Sequence, residues 1–132
     1  MYENILKERN DCRHWAGILG IDMTFKDRDH GTARMRLKDD YYNPVNAVHG
    51  GMVYTVADVA ASVLLRTDGA FYVTAQSDFH FLSASVKGDG ATELLADAEV
   101  IKRGNKLIVT NVIVRDNLSR LIASGTFTHC HI

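Results

Sequence analysis

Residues 51–66, Gly51-Met52-Val53-Tyr54-Thr55-Val56-Ala57-Asp58-Val59-Ala60-Ala61-Ser62-Val63-Leu64-Leu65-Arg66, decide the fold. Met52, Val53, Val56, Ala57, Val59, Ala60, Ala61, Val63, Leu64 and Leu65 leave no wide polar face. The polar side chains Tyr54, Asp58, Ser62 and Arg66 follow at i, i+4 spacing as one narrow stripe. A helix that is apolar nearly all round is a buried helix. At a rise of ~1.5 Å per residue it spans about 24 Å, so something large must wrap it.

The flanking sequence can do the wrapping. Upstream, residues 2–15 carry Ile5, Leu6 and Trp15 among charges and predict a short amphipathic helix; Gly17 and Gly20 then loosen the chain. Ile18 to Lys26 and Thr32 to Leu37 alternate apolar and polar residues, as half-buried strands do, and Asp29-His30-Gly31 between them fits a hairpin turn. Residues 38–48, with the chain's only proline, Pro44, form a loop. Downstream, Phe71 to Leu82 is a strand. Thr92 to Lys102 and Leu107 to Arg115 are strands joined by the turn Arg103-Gly104-Asn105-Lys106, and Leu121 to His131 follows the turn Asp116-Asn117-Leu118-Ser119-Arg120. The order is helix, two strands, long buried helix, four strands. The economical packing is one α+β domain over residues 1–132, with a curved antiparallel six-stranded sheet around a central helix.

Composition narrows the function classes. An apolar fraction of 46% and a charged fraction of 23% describe an ordinary globular chain, and a formal net charge of -1 argues against a general nucleic-acid binder. No apolar run approaches the ~18 residues of a membrane span. Met1-Tyr2-Glu3-Asn4 opens neither a signal peptide nor a basic transit peptide, and Cys12 and Cys130 form no C-x-x-C pair. The expectation is a soluble cytoplasmic protein with no nucleic-acid and no membrane partner.

The chemistry concentrates just ahead of the long helix, in Asn43-Pro44-Val45-Asn46-Ala47-Val48-His49-Gly50-Gly51. A helix start with two glycines presents backbone N–H groups to a developing negative charge, helped by the helix dipole. Glycine there also lets a substrate approach the backbone closely. His49 and Asn43 can orient a carbonyl or brace the loop. Asp58 is a lone carboxylate in an apolar run, costly unless it has a partner or a task, and can act as a general base or a nucleophile. His49 and Asp58 are nine residues apart. On a helix that separates their backbones by roughly 13 Å, too far for both to touch one reacting carbonyl. Either one of them is catalytic, or a two-fold dimer with antiparallel central helices shares the site.

The joint pattern of Asn43, His49-Gly50-Gly51 and Asp58 resembles the hotdog-fold acyl-CoA thioesterases, and within them the phenylacetate-pathway (PaaI-like) type. Phe81-Leu82-Ser83-Ala84 resembles the family's aromatic-hydrophobic-Ser-Pro segment, with Ala84 in place of the usual proline. The resemblance implies a hotdog fold and hydrolysis of an acyl-CoA to a free acid and CoA. It implies a homodimer or dimer of dimers, and no metal or bound cofactor. It implies Asp58 as base or nucleophile, the Gly50 N–H as oxyanion donor from the partner subunit, and assistance from Asn43 and His49. A Ser or Thr on the facing strand holds the water in this family; Thr74 is the better match and Ser77 the fallback. Gly51, Phe81, Leu82, Ser83 and Ala84 then lie along the substrate. Lys102-Arg103-Gly104-Asn105-Lys106 resembles the hairpin that contacts the CoA nucleotide, and three cations beside a glycine suit phosphates.

The remaining candidates are weaker. His129-Cys130-His131 puts two histidines on one face of a strand with no further ligand at suitable spacing, and reads as chain-end residues. His14, His30 and His80 have no clear partner. Met52, Tyr54, Phe79, Phe81 and Leu82 can line an apolar acyl pocket. Two rivals stand beside hydrolysis: a hotdog dehydratase or hydratase, and a non-catalytic acyl-CoA-binding module.

Overall fold

A computed structural model describes Glu3, Asn4 and residues 15–132 of the chain. The amphipathic helix expected over residues 2–15 lies almost wholly outside the described residues. Its neighbourhood opens with a single helical turn, α1 (Trp15–Ile18), followed by β1 (Ile21–Asp27) and β2 (His30–Arg36). The long helix α2 (Gly50–Leu65) comes next, then β3 (Tyr72–Phe81), β4 (Glu93–Arg103), β5 (Leu107–Asp116) and β6 (Leu121–His131). The sheet order is β1-β2-β4-β5-β6-β3, antiparallel throughout. One long helix thus lies across a six-stranded antiparallel sheet, the expected α+β hotdog arrangement.

Small residues on both surfaces let helix and sheet approach closely. Ala57, Ala60 and Ala61 on α2, Ala33 on β2 and Ala96 on β4 are fully buried, with Val56, Val63, Leu64, Met35, Leu94 and Val114 filling the space between them. The polar stripe Tyr54, Asp58, Ser62 and Arg66 is half-buried, as are Met52 and Val59, while Val53, Val56, Ala57, Ala60, Ala61, Val63, Leu64 and Leu65 are enclosed. The stripe therefore marks where α2 runs past the limit of the sheet.

Two local expectations are corrected. The β1–β2 turn is Arg28-Asp29, not Asp29-His30-Gly31; His30 and Gly31 already belong to β2. Gly31 is a packing glycine: a Cβ there would lie 2.7 Å from Met23 Cε and 3.3 Å from Leu64 Cδ1. Ile18 closes α1 rather than opening β1, because Gly20 takes a left-handed φ of 71° and breaks the chain between them. The segment before α2 is a loop, as expected, pinned by isolated bridges Tyr42↔Val48 and Ala47↔Val86.

β3 is the feature that positions the site. It ends the sheet and pairs only with β6, leaving its other edge open. The pairing register shifts between Thr74 and Gln76, so Ala75 is an extra residue bulged from the ladder. That bulge puts Thr74 and Ser77, three apart, on the same face toward α2, where plain alternation would have opposed them.

Candidate active site

The start of α2 is built by His49. It is the N-cap, with φ −57° and ψ 134°, and its Nδ1 accepts from the Gly51 N–H at 2.9 Å. Gly51 must be small for this: a Cβ there would stand 3.1 Å from His49 Nδ1. Met52 and Val53 donate to the His49 carbonyl. The Gly50 N–H meets no acceptor among the described residues. His49 therefore closes one free donor of the helix start and leaves the adjacent one open. Asn43 braces the approach loop, its Oδ1 accepting from Val45 N at 3.1 Å and Ala47 N at 3.0 Å. Beside Gly50 lies a cleft of about 340 Å³ lined by Val48, Val53, Phe81, Leu82, Ser83, Ala84 and Ser85. The Phe81-Leu82-Ser83-Ala84 segment thus forms one wall of it. Ser83 also donates its hydroxyl to the Leu121 carbonyl, tying that wall to β6.

Asp58 sits two turns further along α2, with its side chain 34% exposed. It is neither deeply buried nor alone. Thr74 on β3 donates its hydroxyl to Asp58 Oδ1 at 2.7 Å. Ser77 is engaged elsewhere, sharing a 2.8 Å hydrogen bond with Tyr54 Oη. Of the two hydroxyls considered for the carboxylate, Thr74 is the one beside it.

A residue read as a chain-end histidine completes this cluster. His129 on β6 is fully buried, directly opposite Thr74 in the ladder, with Nε2 3.1 Å from Thr74 Oγ1 and 3.9 Å from Asp58 Oδ1. Burial holds its protonation below the ordinary histidine range, and the Asp58 charge acts in the opposite direction. The signal that could have found it is the alternation Phe127, His129 on the strand's core face. An aromatic chain links the two ends of the site: Tyr54 to Phe79 at 5.3 Å and Phe79 to Phe81 at 5.1 Å between ring centroids, both edge-on.

Other candidates make contacts of their own outside this cluster. Arg103 is committed to structure: its guanidinium, 14% exposed, binds Asp29 at 2.9 Å, Asp68 at 3.3 Å and the Arg28 carbonyl at 2.8 Å. Gly104 makes the tight turn possible, since a Cβ would lie 2.8 Å from the Leu107 carbonyl oxygen. Lys102, Asn105 and Lys106 are the exposed part of that hairpin. His30 has partners after all, Asp27 at 2.8 Å and Glu99 at 3.6 Å, and His80 lies 3.5 Å from Asp78. His14 lies outside the described residues. Among the described residues no cluster of three or more His, Cys, Asp or Glu could hold a metal, and no helix is long and apolar enough to cross a membrane.

Residues 46–123, which carry Gly50, Asp58, Thr74 and Phe81, match the model of the thioesterase superfamily. The chain belongs to that superfamily. It is 25% identical over 128 residues to human acyl-coenzyme A thioesterase 13, covering 94% of this chain and 89% of the relative. Its fold superposes on the PaaI protein of Escherichia coli, from the phenylacetic acid degradation operon, with a TM-score of 0.85, covering 98% of this chain and 90% of that one at 23% identity. A Streptococcus mutans protein solved bound to acetyl-CoA shares 27% identity and a TM-score of 0.76 over 85% of this chain and 88% of its own. By family the thioesterase-superfamily chain is a thioester hydrolase with the PaaI-like hotdog fold.

Proposed function

We propose that this thioesterase hydrolyses an acyl-CoA to the free acid and CoA at sites shared between two copies of the chain. The carrying observation is the placement of the half-sites. The open Gly50 N–H lies at the start of α2 and the Asp58–Thr74 pair about two turns along it, and β3, whose outer edge is unpaired, runs from one to the other. An open ten-residue edge with Val73 and Phe81 exposed, and exposed Phe71 just ahead of it, is a template for strand pairing. Antiparallel pairing of two β3 edges about a two-fold sets the Thr74 end of one copy beside the Phe81 and Gly50 end of the other.

In that arrangement the Gly50 N–H of one copy receives the thioester oxygen as it becomes an oxyanion, with the α2 dipole behind it. Asp58 of the other copy, held at Oδ1 by Thr74, takes a proton from the attacking water through its free oxygen. Direct attack by Asp58 is the alternative nucleophilic route. His49 and Asn43 keep the Gly50 N–H aimed, Gly51 makes the cap possible, and the acyl chain lies along Phe81, Phe79 and Tyr54. Lys102 and Lys106 offer charges to the CoA phosphates. The steps draw on water, a carboxylate and a backbone donor, without a metal or bound cofactor, and the free Cys130 thiol fits a cytoplasmic setting.

A hydratase would need a histidine open to substrate beside the carboxylate. His129 is buried behind Thr74, while His49 is exposed with its Nδ1 in the helix cap, so assaying enoyl-CoA substrates for hydration separates the two readings. Free-thiol release from a panel of acyl-CoAs tests hydrolysis against binding alone. Asp58→Asn should lower kcat by about 10²–10⁴-fold; near-normal turnover would remove Asp58 from the mechanism. Sharing is tested by mixing inactive chains. Gly50→Pro deletes the oxyanion N–H at the first helical position, where proline is well tolerated. Mixed with Asp58→Asn chains, it should restore about a quarter of wild-type activity, because half the dimers are mixed and each then holds one intact site. A mixture as inactive as its components would place both half-sites in one chain.

A further inference from the structure

We propose that His129 is a positioning residue of this site: its Nε2–H holds the Thr74 oxygen so that the Thr74 O–H stays directed at Asp58 Oδ1. The inference rests on Asp58 being the base. It follows from counting protons along a three-member chain. An ionised carboxylate can only accept, so the single Thr74 hydroxyl proton occupies the 2.7 Å contact to Asp58. Thr74 Oγ1 can then only accept in its 3.1 Å contact with His129, which requires the proton on Nε2. Nδ1 is buried without a hydrogen-bond partner among the described residues. A lone pair there costs less than a buried, unsatisfied N–H, so the same tautomer is favoured from the other side of the ring.

The surroundings fix the ring and its charge. Phe127 stacks on it, with centroids 6.4 Å apart and planes at 28°, and Ile108 of β5 and Thr74 of β3 flank it in the ladder. Asp58 on α2 is the charged group that bears on the ring among the described residues. Burial keeps the imidazole neutral, so it serves as a fixed donor rather than a proton carrier. Donors aligned in one direction polarise one another. The Thr74 hydroxyl becomes a stronger donor to Oδ1, and the second carboxylate oxygen is left to face the water. No covalent bond to His129 forms, and no proton passes through it.

The test compares His129→Leu, which removes the donor, with His129→Gln, whose amide N–H can replace it. His129→Leu should lower kcat about tenfold with KM within about twofold, and move the acid limb of kcat/KM up by roughly half a pH unit or more. His129→Gln should recover most of the rate and return the acid limb toward wild type. Imidazole ¹⁵N shifts of the wild-type protein should show the Nε2–H tautomer. An unshifted profile in His129→Leu, equal rate losses in both variants with a merely lowered Tm, or an Nδ1–H tautomer would each overturn the inference. Should His129→Leu not fold, the tautomer and His129→Gln still decide it. Asp58→Asn separates the two levels. If that variant is active, the reading of Asp58 as base falls. If it is inactive while His129→Leu keeps the wild-type pH profile, only the role of His129 falls.

Discussion

Thr74→Val is the most discriminating single change at this site. Valine keeps the β-branched shape suited to the strand and deletes only the oxygen. That oxygen makes two contacts of different kind, one to a carboxylate and one to a buried ring. A hydrogen bond to a charged group contributes about 1.5–3 kcal/mol. Asp58 is 34% exposed, so water replaces part of the loss and the lower end applies. If the Thr74 bond positions the base in the transition state, about 1.5–2 kcal/mol corresponds to a roughly 10- to 30-fold fall in kcat. The second contact affects stability. His129 is fully buried, so its orphaned Nε2–H costs about 1 kcal/mol or more, lowering Tm by at least about 3 °C. Thr74→Ser should restore both quantities. The assay is thiol release at saturating acyl-CoA alongside differential scanning calorimetry. Turnover within twofold of wild type would show that Thr74 does not position the base. Lost turnover at an unchanged Tm would show that the oxygen does not serve His129.

Other expectations can be checked independently. Gly125→Ala should destabilise by about 1–3 kcal/mol in urea titration: the new Cβ would lie 2.6 Å from Phe79 Cδ1 and 2.7 Å from the Asp78 carbonyl oxygen, and wild-type stability would mean that β3 can move off β6. Val73→Lys, at a half-exposed position on the open edge strand, should shift the protein toward monomer in light scattering and cut thiol release in parallel; an active monomer would refute the shared site. Because burial disfavours protonated His129 in the folded state, the unfolded chain binds the extra proton first. Stability should therefore fall as pH drops from about 7 through the ordinary histidine range near 6.5, and His129→Gln should flatten that slope. The solvent-exposed His30, whose protonation is favoured by Asp27, acts in the opposite sense but is screened. A slope unchanged in His129→Gln would assign the titration elsewhere.

The parts of the fold set by periodicity were legible in the sequence. The nearly all-apolar helix demanded a wrapping sheet, and six strand segments supplied it with boundaries within three residues of those expected. The misplaced β1–β2 turn shows where local chemistry misleads. Asp29-His30-Gly31 has turn composition, yet Gly31 packs against Met23 of the paired strand and against Leu64 of α2, a contact local sequence does not show. Arg103 shows what local sequence leaves out: the hairpin cation has three partners, Asp29, Asp68 and the Arg28 carbonyl, that only the fold brings to it. Gly50, His49 and Asp58 could be singled out as candidates because one helix and its cap carry them at known spacing. His129 was not, because its significance lies in being opposite Thr74 across a ladder 55 residues away in sequence.

The bulge at Ala75 connects these observations. Without it, Thr74 and Ser77 would face opposite sides of β3, and only one could reach α2. With it, Thr74 meets Asp58, Ser77 meets Tyr54, and the strand presents a row of groups to the helix's polar stripe. An extra residue also increases local twist and interrupts pairing with β6, costs a sheet avoids unless the displaced side chain has a use. The stripe and the bulge are therefore two sides of one design. Two members of the half-buried polar row, Tyr54 and Asp58, find hydrogen-bond partners on β3, and in the proposed function its being an edge lets substrate and a second copy reach the carboxylate. The same reasoning explains why Asp58 needs no deep burial. Thr74 holds it at one oxygen while its side chain stays 34% exposed, and in the proposed mechanism that exposure is what admits the water.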